Sequence, residues 1–230
     1  MSIKHWAEDE RPREKLLEHG VATLSDAELL AILLRVGTRG KNAVELARDL
    51  LRYFGSLSAV MHATPDELYQ HKGMGEASFA QFATVLEIGR RVLHEALRDK
   101  PILSSPQQVG DYLRLRIGRE KVEVALVLLL NQQNQLMSCE ELSRGTVAHN
   151  TVYIREVLKL ALQHHASAIV FAHNHPSGSL EPSAEDLVLT QRLQSALHLL
   201  DIQLLDHFII TAHGWVSFQQ RAWLAPIQAA

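Results

Sequence analysis

His173 and His175 stand one residue apart, directly after the apolar run Ala168-Ile169-Val170-Phe171; seven residues then separate His175 from Ser183, and Asp186 follows three positions later. An apolar run bounded by a Pro-Ser-Gly turn, here Pro176-Ser177-Gly178, reads as a buried strand. Alternate residues of a strand share a face, so the two imidazoles point the same way. Two imidazoles at a strand end suit a transition metal, and Asp186 offers a third, harder ligand from the next element. Three protein ligands with one open position is the arrangement of catalytic zinc rather than structural zinc. Ser183-x-x-Asp186 also reads as a helix cap, and a cap there fixes where Asp186 points.

The elements that must position these residues follow from periodicity. Glu123 to Asn131 reads as a strand with a very apolar body, Gln132-Gln133-Asn134-Gln135 as a turn, and Leu136 to Leu142 as a second strand. A helix is expected over Tyr153 to His165, a strand over Ala168 to Ala172 and a helix over Ser183 to Leu199. Strands follow at Ile202 to Leu205, Phe208 to Thr211 and Trp215 to Phe218. This alternation predicts an α/β region with a mixed sheet flanked by helices. The first hundred residues read as helical instead. Ser25 with Glu28 forms a capping-box pattern, Ala43 to Phe54 carries a helical stripe, Thr64-Pro65 is a cap with Pro at the first helical position, and Phe79 to Leu93 continues the pattern. Arg98 to Pro106, with two prolines and two serines, breaks it. The expected organisation is a helical domain over 1–98, a linker over 99–106 and a metal-binding domain over 107–226.

The helical half contains an internal echo. Leu34 to Gly40 and His71 to Gly75 each place a glycine-containing turn between two helices. Such a turn exposes backbone N–H groups that can donate to a phosphate oxygen, or it serves packing alone. The second copy resembles the helix-hairpin-helix motif of DNA-processing proteins. Residues 1–100 hold 14 Lys/Arg against 15 Asp/Glu, so any DNA contact through this half is weak and local.

Composition bounds the rest. Apolar residues make up 47% and charged residues 21% of 230, which fits a folded soluble protein. The net charge of −3 argues against a strongly basic nucleic-acid binder. Cys139 is the one cysteine, so neither an internal disulfide nor a Cys-rich zinc site is available. The N-terminal stretch lacks a signal peptide's apolar core, and the run Val124 to Leu130 is too short to span a bilayer. The expected location is cytoplasmic, with no membrane association.

His173-Asn174-His175-Pro176-Ser177-Gly178 with Pro182-Ser183-Ala184-Glu185-Asp186 resembles the JAMM/MPN metalloprotease domain, a metal-dependent class that includes isopeptidases acting on ubiquitin-like conjugates. With Leu205-Asp206-His207, Arg11 to Leu17 and Leu34 to Thr38 added, the chain is more similar to the bacterial RadC family. Within it, the chain is similar to the YicR-like members called UPF0758 proteins. The resemblance runs from about residue 8 to residue 224. It implies a JAMM/MPN-like, cytidine-deaminase-like α/β fold preceded by a helix-hairpin-helix-like helical domain. It also implies Zn²⁺ on His173, His175 and Asp186, with a water completing the shell. Zinc lowers the pKa of such a water toward ~7. The family's general base falls at Glu123, with Glu120 as rival, and Ser183 is implied as a donor to the oxyanion. Where the family often has His-Pro, this chain has Tyr153-Ile154 before Arg155-Glu156. His149, in a family-like loop, reads as lining the cleft or packing, and His207, after Asp206, as a partner behind a ligand or packing; packing is the expectation for both.

Two main functions are compatible with these residues. One is a zinc metallohydrolase that cuts a peptide or isopeptide bond in an unknown protein or peptide substrate. The other is a DNA-associated factor whose metal site is structural or regulatory. A metal-dependent nuclease is suggested only by the letters His-Asn-His, and the compact motif with its Asp favours the hydrolase.

Overall fold

The computed structural model describes residues 3–102, 105–145 and 154–224. The chain divides into two compact units, Met1–Ile88 and Gly89–Ala230.

In the first unit, α1 (Pro12–His19) begins with Pro at its first turn, and α2 (Asp26–Leu34) is opened by the Ser25/Glu28 capping box. Lys15 joins the two helices through a 3.0 Å ion pair with Glu28. α3 (Ala43–Phe54) is capped by Asn42 and Glu45 and ends on left-handed Gly55. Two short helices follow, α4 (Leu57–Met61) and α5 (Pro65–Tyr69), the second under the expected Thr64 cap, which Glu67 completes as a capping box. α6 (Glu76–Asp99) closes the series, its residues up to Ile88 belonging to this unit. Leu30, Val44, Ala47, Leu50, Val60, Leu68 and Phe82 form the core. The two echoing turns pack together: a Cβ on Gly73 would lie 1.9 Å from Thr38 Cγ2.

The second unit is a five-stranded mixed sheet between helices, ordered β2-β1-β3-β4-β5. Its strands are β1 (Val124–Leu130), β2 (Leu136–Arg144), β3 (Ala168–Asn174), β4 (Gln203–Ile210) and β5 (Trp215–Ser217). β3 and β4 run parallel and the other neighbours antiparallel. Its helices are α7 (Pro106–Ile117), α8 (Ile154–Gln163) and α9 (Ala184–His198). Alternation assigns the faces. Leu126, Leu128, Val170 and Ala172 pack with Val109, Tyr112 and Leu113 of α7, while Val127, Leu129, Ile169 and Phe171 pack with Val157 of α8 and Leu193 of α9. The expected mixed sheet flanked by helices and preceded by helices is therefore present.

Two elements differ from the sequence reading. No element is assigned there to residues 107–122, yet α7 covers most of them. Gly110 weakens its helical signal, and the reason is close approach: a Cβ there would fall 2.2 Å from the Trp215 indole. The second difference is β4, one continuous strand where two were expected. Leu204 pairs with Ile169 and Asp206 with Val170, which leaves Leu205 as a bulge. Asp206, read as part of a break, is buried because Ser217 Oγ and the backbone N–H groups of His207 and Gln219 all donate to it. His149 and Tyr153 lie outside the described residues.

Candidate metal centre

β3 carries His173 toward the α8/α9 face, and the chain turns immediately after Asn174 to deliver His175. α9 begins at that same end of the sheet. Ser183 is its N-cap in a reciprocal capping box in which Asp186 takes the position usual for Glu: Asp186 N–H donates to Ser183 Oγ at 3.1 Å, and Ser183 N–H and Oγ–H each donate to Asp186 Oδ2 at 2.7 Å. The cap thus engages Oδ2 and leaves Oδ1 turned toward His173, 3.1 Å from its Nε2. His175 Nε2 lies 2.9 Å from His173 Nε2 and 3.4 Å from Asp186 Oδ2. The three ligand atoms fall within 4.8 Å of one another. Ligands of a tetrahedral zinc at about 2.0–2.1 Å lie roughly 3.3–3.4 Å apart; the separations of His173 from His175 and from Asp186 Oδ1 fall a few tenths of an ångström short of that, and His175 meets the carboxylate at its other oxygen.

The hydrogen-bond partners dictate which ring nitrogens carry protons. His175 Nδ1 is 2.8 Å from the Ser179 carbonyl oxygen, which only accepts. Nδ1 is therefore the protonated nitrogen of neutral His175, and its Nε2 lone pair faces inward. For His173 the chain of donors is longer. Thr190 Oγ1 lies 2.6 Å from the Asp186 carbonyl oxygen, so its proton goes there. The hydroxyl must then accept from His207 Nδ1, 2.6 Å away. That leaves His207 Nε2 as an acceptor for His173 Nδ1–H at 2.8 Å, and the His173 Nε2 lone pair also faces inward. Two imidazole lone pairs and a carboxylate oxygen thus converge on one point. Such a focus of electron density is stabilised by a cation, or by shared protons in its absence.

Without an ion, protons shared between the imidazoles and the carboxylate take its place. Burial pushes the Asp186 carboxyl up, but hydrogen bonding from His173, His175 and Ser183 outweighs it and holds the group far below the usual carboxylate range. The hydrogen bond with Asp186 raises His175, opposed by burial and aided by the Ser179 carbonyl and the charge of Glu123. His207 is driven well below the ordinary imidazole range by burial and by the charge of His173. It therefore stays neutral, as its dual role as donor and acceptor requires. Phe218 stacks on its ring at 4.2 Å between centroids.

His207 reads in the sequence as a partner behind a ligand or as packing, with packing expected; the structure places it behind His173. Its orientation depends on the Leu205 bulge, which shifts the alternation of β4 by one residue and turns His207 toward His173. The Leu205-Asp206-His207 stretch carries no local sign of that shift.

Glu123 immediately precedes β1 and is half-buried. It is not among the three converging ligands, but its charge acts on His175. Glu120, the rival position, commits its carboxylate to Arg144 at 2.7 Å. Ser183 commits its hydroxyl proton to Asp186. Among the described residues no helix is long and apolar enough to cross a membrane.

Comparison with known proteins agrees with this architecture. Residues 103–223 match the RadC-like JAB domain model and residues 3–80 the UPF0758 N-terminal model. A UPF0758 protein of Neisseria meningitidis serogroup B is 62% identical over 220 residues, covering 96% of this chain and 98% of the relative. UPF0758 proteins of Chromobacterium violaceum and Janthinobacterium sp. are 55% and 50% identical over 224 residues, each covering 97% of this chain and 100% of the relative. With both halves matched and its His-His-Asp cluster capable of coordinating a metal, the chain belongs to the RadC family, among its UPF0758 members.

Proposed function

We propose that this protein is a zinc-dependent hydrolase of peptide or isopeptide bonds. The carrying observation is the convergence of two imidazole lone pairs and one carboxylate oxygen at a point that solvent reaches: the three side chains keep 8%, 12% and 14% exposure. His173, His175 and Asp186 would hold the ion. A divalent cation there supplies Lewis acidity and lowers the pKa of water toward ~7.

The chain's own residues supply the rest. Glu123 accepts a proton from the attacking water and passes it to the leaving nitrogen as the C–N bond breaks, so one carboxylate serves as base and then acid. Commitment of Glu120 to Arg144 favours Glu123 for this role. Ser183 is proposed as donor to the oxyanion that forms on attack, a contribution of about 3 kcal/mol in comparable sites. It exchanges its hydrogen bond with Asp186 to do so. The test compares new protein N-termini across the proteome between the native strain and a Glu123→Gln strain, with zinc measured on both purified proteins. Equal zinc with loss of a defined set of cleavages supports the reading. Equal cleavage in both strains removes it.

A second reading rests on the first unit: a DNA-associated factor whose metal site is structural or regulatory. Its motivating observation is a groove of about 560 Å³ lined by Arg35, Val36, Gly73, Met74 and Gly75, where the two echoing turns meet at the start of α6. Binding to single- and double-stranded DNA should then weaken steeply with salt and fall on Arg35→Ala in the full chain. No binding at low salt would remove this reading.

A further inference from the structure

Between the two histidines stands a residue that no metal chemistry needs. Asn174 is fully buried. Its Oδ1 accepts from Val124 N–H at 2.7 Å, and its Nδ2 donates to the carbonyls of Val122 at 3.1 Å and Glu120 at 3.3 Å. A carboxamide has one acceptor oxygen and two N–H donors. Here the oxygen and the nitrogen are all spent on the backbone of one five-residue segment, some fifty positions away in sequence, with Glu123 inside it.

We propose that Asn174 is a positioning residue that fixes the direction of Glu123 relative to the His173–His175–Asp186 cluster. The proposal rests on the hydrolytic reading, because it assigns Glu123 the proton-transfer role. The geometry is specific to that residue. The Val122 carbonyl belongs to the peptide plane on the N-terminal side of the Glu123 Cα, and Val124 N–H belongs to the plane on its C-terminal side. One carboxamide grips both. The Glu123 carbonyl, in the second plane, also accepts from Gly145 N–H at 2.9 Å. With both flanking planes held, φ and ψ of Glu123 are fixed, and with them the direction of its Cβ.

The strand register shows why a side chain does this work. Pairing between β1 and β3 ends at Ala125 and His173. One step further, Val124 and Asn174 would be partners, but the chain is already turning to present His175. The Asn174 side chain replaces the backbone hydrogen bond that this turn removes. Aspartate lacks the donors, serine and threonine offer a single hydroxyl, and glutamine is one methylene too long.

The test needs no substrate. Full-length protein is loaded with cobalt(II), whose visible absorption reports the ion's surroundings, and the pH midpoint of that absorption is measured for the native chain, Glu123→Gln, Asn174→Ser and the double variant. Amide exchange at Val124 is followed in parallel. The expected result is retained cobalt in Asn174→Ser, Val124 exchange faster by about tenfold, the equivalent of one lost hydrogen bond, and a midpoint shifted in the same direction as in Glu123→Gln. In the double variant, Asn174→Ser should add nothing to the shift. An equal effect of Asn174→Ser with and without the Glu123 carboxylate would show that Asn174 acts on the ligands themselves and would overturn the proposal. So would unchanged midpoint and exchange. If Asn174→Ser and Asn174→Thr both fail to fold or to bind cobalt, Asn174 serves the fold alone and the proposal is lost. Failure of the hydrolytic reading looks different: Glu123→Gln itself then leaves the midpoint where it was.

Discussion

Replacing His207 by leucine tests whether zinc affinity is set behind the ligands. His207 is fully buried, and the substitution leaves His173 Nδ1–H without an acceptor in a space closed by Phe171 and Phe218. A buried donor stripped of its partner costs about 1–3 kcal/mol. His173 can escape that cost by moving its proton to Nε2, but the lone pair then no longer faces the ion. Either way the loss falls on the metal-bound form, and about 1–3 kcal/mol corresponds to a zinc Kd weaker by roughly 5–150-fold. Loss of an outer partner of a ligating histidine typically costs about 10–100-fold, so two separate routes give the same range. The assay is competition with a chromophoric chelator at fixed pH, beside thermal unfolding of the metal-free protein to separate affinity from fold. Thr190→Val breaks the next link and should weaken binding less. The double variant should bind no worse than His207→Leu alone, because both changes cut one chain of donors. A folded His207→Leu protein with zinc affinity within about threefold of native would refute this deduction of the His173 tautomer.

Other consequences are equally direct. Ser183→Ala removes the N-cap of α9 and one of the two hydrogen bonds on Asp186 Oδ2; a loss of about 1 kcal/mol in unfolding free energy is expected, together with weaker zinc binding in the same chelator competition. His175 is raised in the metal-free protein, and the ion needs its neutral form. Zinc binding should therefore release protons near neutral pH and begin to weaken, as pH falls, above the ordinary imidazole pKa of about 6.5. Calorimetry in buffers of different ionisation enthalpy reads that release, and buffer-independent enthalpies at pH 7 would contradict it. Gly110→Ala forces a methyl group into the Trp215 indole; destabilisation of about 1–3 kcal/mol should lower Tm by roughly 3–10 °C, measured by calorimetry.

The parts of this molecule legible in the sequence are those whose cause is local. A strand end with the turn that follows it and a helix cap bring His173, His175 and Asp186 to one place, because neighbouring positions along the chain carry all three. The Ser25 and Thr64 caps and the stripe of α3 are equally local, and the capped helices begin where the cap residues stand. What was not legible depends on distant partners. Gly110 suits its helix only because Trp215 arrives from β5. Asp206 belongs inside a strand only because donors from β5 and the following turn reach it. His207 faces the metal cluster only through a bulge whose need is set by β3. Asn174 carries no sign in its own segment of the backbone it holds near Glu123.

The central claim is that His173, His175 and Asp186 hold one divalent cation. The most direct measurement is elemental analysis of the full-length protein after zinc loading and desalting, with anomalous diffraction at the zinc edge from the same sample. The expected result is about one zinc per chain, a single anomalous peak between the two Nε2 atoms and Asp186 Oδ1, and loss of both in His173→Ala/His175→Ala. Zinc retained in that double variant, or a peak elsewhere on the chain, would contradict it.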